Sequence, residues 1–184
     1  MKNLNILFAG FGGQGVLFAG KVVAYAALIA NKQLSWLPSY GPEMRGGTAN
    51  CSVCVSDEAI GSPLVTNPNV FIAMNLPSFD KFINAVEPGG IVIVDSSLID
   101  KKVERDDVTV YYVPSTSLAD EKRRERPMSN MILIGKLFKE VLSGGTTSSA
   151  TQISWTRRCR SASPPARPRC WTSTARPSRS GQEQ

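Results

Sequence analysis

Apolar positions along the chain follow two periods, and their order outlines a fold. "LNILFA" at residues 4–9 is an unbroken apolar run of strand length, suited to a buried parallel strand. From Gln14 to Asn31 the period lengthens, and Val16, Leu17, Ala19, Gly20, Val23, Ala24 and Ala27 share one broad helix face. "QLSWL" at 33–37 reads as a short strand closed by Pro38, and "SYGPEMRGG" at 39–47 as a loop, on its Gly and Pro content. "TANCSVCVS" at 48–56 alternates and is rich in β-branched residues, so it predicts a strand. "NVFIAMN" at 69–75, "GIVIVDS" at 90–96 and "VTVYYVP" at 108–114 repeat that signature, with a helix near Pro77–Val86 between the first two. "SNMILIGKLFKEVL" from Ser129 to Leu142 predicts a helix with Ser129 as N-cap and Gly144–Gly145 beyond its end. The order β-α-β-loop-β-β-α-β-β-α predicts an α/β fold, a three-layer α/β/α sandwich on a mostly parallel, mixed sheet of Rossmann-like type.

The periodic pattern stops near Gly145, and composition changes with it. Residues 146–184 contain no Leu, Val, Phe, Met or Tyr and cannot bury enough surface to offset chain entropy, so disorder is expected there. The same segment carries seven Arg and one Glu, which accounts for the whole net charge of +6; residues 1–145 are neutral. The body therefore exerts no general pull on polyanions, and nucleic acid is not an expected partner of it. Two readings of 146–184 stand side by side. Its Arg, Ser, Pro, Ala and Trp bias is what a GC-rich gene yields out of frame, which would mean a lost C-terminal helix; alternatively it is a native Arg-rich arm for RNA or an acidic partner. The expected organisation is one α/β domain over 1–145, with 146–184 as a frameshifted or disordered tail. With no signal-peptide pattern and no apolar stretch of membrane-spanning length, the expectation is a cytoplasmic protein with reduced thiols.

The chemistry-bearing residues are few. Histidine is absent, which removes His-based triads and His metal sites. Gly10, Gly12 and Gly15 form G-x-G-x-x-G between the first strand and the first helix, where glycines let the backbone approach a phosphate and the helix start offers free N–H groups. An NAD site also needs an acidic residue ~20 positions on to hold the ribose. "NKQLSWLP" supplies none. "GVLFAGK" at 15–21 imitates a Walker A spacing, but Val22 stands where Ser or Thr should reach Mg²⁺, so nucleotide triphosphate hydrolysis is excluded. Tight helix–sheet packing without a ligand is the competing account of the turn. In the second loop Arg45 offers a planar fork to carboxylate or phosphate, Tyr40 a flat surface, and Glu43 lies between. Cys51 and Cys54 sit three apart in a strand and should face opposite sides, as ordinary thiols.

"AGFGGQGV" at 9–16, "SYGPEMRGG" at 39–47 with "TANCSV" after it, and "PMSNMILIGKL" at 127–137 together resemble the gamma subunit of 2-oxoacid:ferredoxin oxidoreductases. That subunit corresponds to the pyruvate/ketoisovalerate oxidoreductase catalytic domain, and the likeness spans about residues 4 to 142. The resemblance implies a role in the oxidative decarboxylation of a 2-oxoacid to its acyl-CoA, with electrons passed to ferredoxin; "YGPEMRGG" is nearest to the 2-oxoglutarate and branched-chain types. It further implies thiamine diphosphate and iron–sulfur clusters in partner subunits, and alpha, beta and ferredoxin-like subunits as partners. This chain would be inactive alone, would hold no metal, and would help receive coenzyme A. By position, Gly10, Gly12, Gly13, Gln14 and Gly15 would contact coenzyme A phosphates or a neighbouring subunit, and Tyr40, Glu43, Arg45, Gly46 and Gly47 would shape the edge of a shared active site. A homodimer is expected of the isolated chain, because apolar surfaces meant for partners would be bare. A stand-alone nucleotide-binding regulator and an RNA binder acting through the tail are the alternatives.

Overall fold

The computed structural model describes residues 3–39, 48–121 and 129–143. Among these residues six strands form one sheet: β1 (Leu4–Phe11), β2 (Gln33–Ser39), β3 (Thr48–Ser56), β4 (Val70–Ala73), β5 (Ile91–Asp95) and β6 (Thr109–Val113). Four helices accompany them: α1 (Val16–Ile29), α2 (Leu76–Phe82), α3 (Ser115–Glu121) and α4 (Ser129–Ser143). A 3-10 helix, Ile83–Ala85, follows α2.

The strand order is β2-β3-β1-β4-β5-β6. β1, β4, β5 and β6 are mutually parallel, whereas β3 runs antiparallel between β1 and β2. Alternation along the strands sends side chains to two faces. Ile6, Phe8, Cys51, Val53, Val70, Ile72 and Ile93 meet α1 and α4 on one face, with Val16, Ala19, Val23, Leu133, Ile134 and Leu137. On the other, Leu7, Ala9, Phe71, Ala73, Val92 and Val94 meet Phe79, Val86 and Ile99. The predicted mixed α/β sandwich is therefore present, with the second layer built from α2, the 3-10 helix and the β5–β6 connection. Arg105 ties that connection down, donating to the Ile83 and Val86 carbonyls while pairing with Asp107. Among the described residues no helix is long and apolar enough to cross a membrane.

Several boundaries differ from the pattern reading for physical reasons. β2 continues through Pro38 instead of stopping before it; β2 is an edge strand, where a missing N–H leaves no ladder bond unmade. α1 begins at Val16 and not at Gln14, because Gly15 has a left-handed backbone (φ 76°) and forms the N-cap. β4 is shorter than expected. Met74 and Asn75 have left it, and Asn75 caps α2 by accepting from the Ser78 N–H at 3.0 Å. Helix α3 has no counterpart in the sequence reading. α4 takes in Ser129 as its first helical residue, not as the N-cap expected of it, and Gly144 and Gly145 lie outside the described residues. So do residues 146–184.

Candidate functional site

The glycine turn lies at a reversal in the topology. From β1 the chain crosses through α1 to β2, on one side and one face; from β4 it crosses through α2 to β5, on the other side and the other face. In open α/β sheets the crevice outside the carboxyl ends of two such strands is where ligands bind.

The turn's glycines do different work. Gly13 (φ 100°) and Gly15 (φ 76°) hold backbone conformations that side chains rarely adopt. A Cβ at Gly13 would meet nothing within 4 Å, and Gly12 and Gly13 are exposed, so this part of the turn faces open space. Gly10 is a packing position: a Cβ there would lie 2.6 Å from Gln14 Oε1 and 2.9 Å from Met74 Cβ. Gly15 is covered by Asn130, whose Nδ2 would be 2.4 Å from an added Cβ and lies 3.4 Å from the Gly15 carbonyl. Gln14 faces inward too. Its Oε1 accepts from the Phe11 N–H at 2.6 Å, and its Nε2 donates to the Met74 carbonyl at 2.8 Å.

Beyond the turn, α1 starts with no side chain accepting from its first N–H groups and no acidic residue in its first turn. Its first helical bond is Ala19 N–H to the Gly15 carbonyl at 2.8 Å, so the preceding amides remain as donors with the positive end of the helix dipole behind them. Exposed Gly12–Gly13 and these amides are the candidate place for an anionic oxygen. Phe11 before the turn, Phe18 in α1 and Leu76 at the start of α2 are exposed, at 40%, 56% and 41%.

Tyr40, Glu43, Arg45, Gly46 and Gly47 lie outside the described residues. Their attachment points are placed, however. β2 ends at Ser39 and β3 begins at Thr48, and Thr48 stands in register with Phe11 at the end of β1. Residues 40–47 thus leave and re-enter the sheet at the edge that carries the glycine turn. Asn130, which covers Gly15, was not among the residues the turn motif singles out; its position inside "PMSNM" was the available signal.

Further along this edge Asp95, 1% exposed, ends β5. Its carboxylate accepts from Ser97 N–H, Ser115 N–H and the Thr116 hydroxyl at 3.1, 3.1 and 2.6 Å. Burial opposes its ionisation, but these hydrogen bonds together outweigh burial and hold its pKa below the usual carboxylate range. The two cysteines of β3 are free and buried on opposite faces, Cys51 within the α1–α4 core and Cys54 near the Ser62 and Pro63 carbonyls. Burial pushes the Cys51 thiol up to about 12, with the Trp36 indole acting weakly the other way, and raises Cys54 as well. Neither is a reactive thiolate at neutral pH.

The model of the family described as pyruvate ferredoxin/flavodoxin oxidoreductase matches residues 5–159. The chain is 37% identical over 136 residues to the 2-oxoglutarate synthase subunit KorC of Methanocaldococcus jannaschii, covering 73% of each. It is 38% identical over 143 residues to the ketoisovalerate oxidoreductase subunit VorA of Methanothermobacter marburgensis, covering 78% of this chain but only 30% of that longer one. Among solved structures, the gamma subunit of the keto/oxoacid ferredoxin oxidoreductase of Geobacter sulfurreducens superposes with a TM-score of 0.63 at 25% identity, over 85% of this chain and 94% of that one. The chain belongs to the pyruvate ferredoxin/flavodoxin oxidoreductase family.

Proposed function

We propose that this chain is the gamma subunit of a 2-oxoacid:ferredoxin oxidoreductase, with 2-oxoglutarate as the favoured 2-oxoacid, and that its glycine turn receives an anionic group of coenzyme A. The carrying observation is the unfilled start of α1. Gly12 and Gly13 are exposed, and among the described residues no side chain accepts from the first-turn amides. A phosphate of coenzyme A suits those donors, and coenzyme A supplies the thiol that takes the acyl group. The 2-oxoglutarate preference is supported by the matched length and identity of KorC. A 2-oxoglutarate:ferredoxin oxidoreductase of Magnetococcus marinus that shares the fold at TM-score 0.64 was solved with coenzyme A bound.

Reaction chemistry on this reading belongs to alpha, beta and ferredoxin-like subunits, which carry thiamine diphosphate and iron–sulfur clusters, with ferredoxin as acceptor. Within this chain, Cys51 and Cys54 point to opposite faces of β3 and fit no shared cluster. Tyr40, Glu43 and Arg45 border the shared site from the connection that starts at Ser39. The exposed apolar side chains Phe11, Phe18 and Leu76 suit contact with a neighbouring subunit. Titration calorimetry of the assembled complex with coenzyme A tests the reading. Binding that weakens about tenfold in Gly13→Asp, which sets a carboxylate in the open part of the turn, supports it. Unchanged binding in that variant rejects it.

A further inference from the structure

The side chain of Gln14 stands in for a missing rung of the sheet. The last backbone bond between β1 and β4 runs from Met74 N–H to the Ala9 carbonyl at 2.9 Å. In a parallel ladder the next would run from Phe11 N–H to the Met74 carbonyl. Instead the Gln14 carboxamide lies between those two groups, accepting from Phe11 at 2.6 Å and donating to Met74 at 2.8 Å. A peptide-like group has been inserted into the ladder, at the point where the chain turns away in opposite directions from β1 and β4. Its orientation is dictated, because Phe11 offers a donor and Met74 an acceptor. Gly10 belongs to the same device, since a Cβ there would collide with Gln14 Oε1.

We infer that Gln14 is a positioning residue: its carboxamide wedges the ends of β1 and β4 apart and fixes the turn so that Gly12, Gly13 and the first amides of α1 face the incoming anion. The inference rests on the reading that this turn receives coenzyme A. Glutamine is required on chemical grounds. Glutamate at 14 keeps the acceptor for Phe11 but sets a carboxylate against the Met74 carbonyl, and methionine keeps the length and makes neither bond.

The test is steady-state kinetics of the assembled oxidoreductase, with coenzyme A and the 2-oxoacid varied separately. Gln14→Met should raise KM for coenzyme A about tenfold, the scale of two lost neutral hydrogen bonds, with kcat and KM for the 2-oxoacid within about twofold. Gln14→Glu should do the same or more. A fall in kcat without a selective coenzyme A effect, or no change, overturns the proposal. Gly13→Asp separates the two failures. If it raises KM for coenzyme A while Gln14→Met does not, the wedge is wrong and the site reading stands. If neither does, the site reading itself fails. Should the Gln14 variants not assemble, hydrogen exchange of the wild-type complex without coenzyme A decides: the Phe11 amide must exchange as slowly as its ladder neighbours, and rapid exchange overturns the inference.

Discussion

Two helix starts lie along one edge of the sheet, and they are completed in opposite ways. At α3 the chain supplies its own anion. Asp95, buried at the end of β5, accepts from the Ser115 N–H and from the Thr116 hydroxyl, so the first turn of that helix is closed from within. At α1 no side chain among the described residues accepts, the first turn holds no acid, and Gly12 and Gly13 are exposed. Equivalent donors therefore serve stability in one place and, on the proposed reading, receive a guest in the other. A helix start filled by the chain is structure; one left open beside a glycine turn is where an anion from outside gains most.

This contrast can be broken from either end, and the largest effect belongs to the filled one. Asp95→Ala strands several buried donors and should lower stability by about 3 kcal/mol in urea unfolding. Asp95→Asn should cost less but alter the acid limb. Because the folded pKa of Asp95 is depressed, its stabilisation is present above the ordinary carboxyl value and lost as pH falls through the folded one. Unfolding followed against pH should therefore be flatter below about pH 4 in Asp95→Asn than in the wild type.

Gly15→Ala combines a left-handed backbone with an approach to Asn130 and should lose about 2 kcal/mol, measured as a lower urea midpoint. Gly13→Asp also meets a left-handed backbone (φ 100°) but no atom within 4 Å of the new Cβ, so it should cost about 1 kcal/mol, less than Gly15→Ala, while weakening coenzyme A binding to the complex about tenfold. Equal stability losses in the two variants would erase the distinction between the packed and open glycines. The smallest effect concerns Cys51. Its thiol is raised to about 12 in the fold, so the unfolded chain ionises first and stability falls as pH climbs above the ordinary thiol value. Between pH 7 and 9 its share of the loss should be about 0.5 kcal/mol, and Cys51→Ala should remove that share while the smaller part due to the raised Cys54 thiol remains, even though the substitution lowers stability at neutral pH.

Most of the strands and the two long helices were legible in the pattern, because a strand's alternation and a helix's stripe are written in residues two to four positions apart. Phe8 and Ile72 fall on one face, Leu7 and Phe71 on the other, as period two requires. Helix α3 was not legible. "STSLADE" is a weak helix former, and its start is closed by a carboxylate 20 residues away in sequence. The turn motif was readable as a glycine-rich strand-to-helix turn, but not the division of labour among Gly10, Gly13 and Gly15, which depends on which atoms approach each Cα.

The amino-acid sequence by itself thus determined the succession of strands and helices, the neutrality of the body, the lack of a ribose-binding acid and the family signature. The tertiary structure alone decided that β3 slots antiparallel beside β1, so that residues 40–47 attach next to the glycine turn. It also decided that Gln14 joins β1 to Met74 across 60 residues and that Asn130 reaches Gly15 across 115. The reason is range: periodicity is set by neighbours along the chain, whereas a hydrogen-bond partner is set by strand order, which exists only once the sheet has formed.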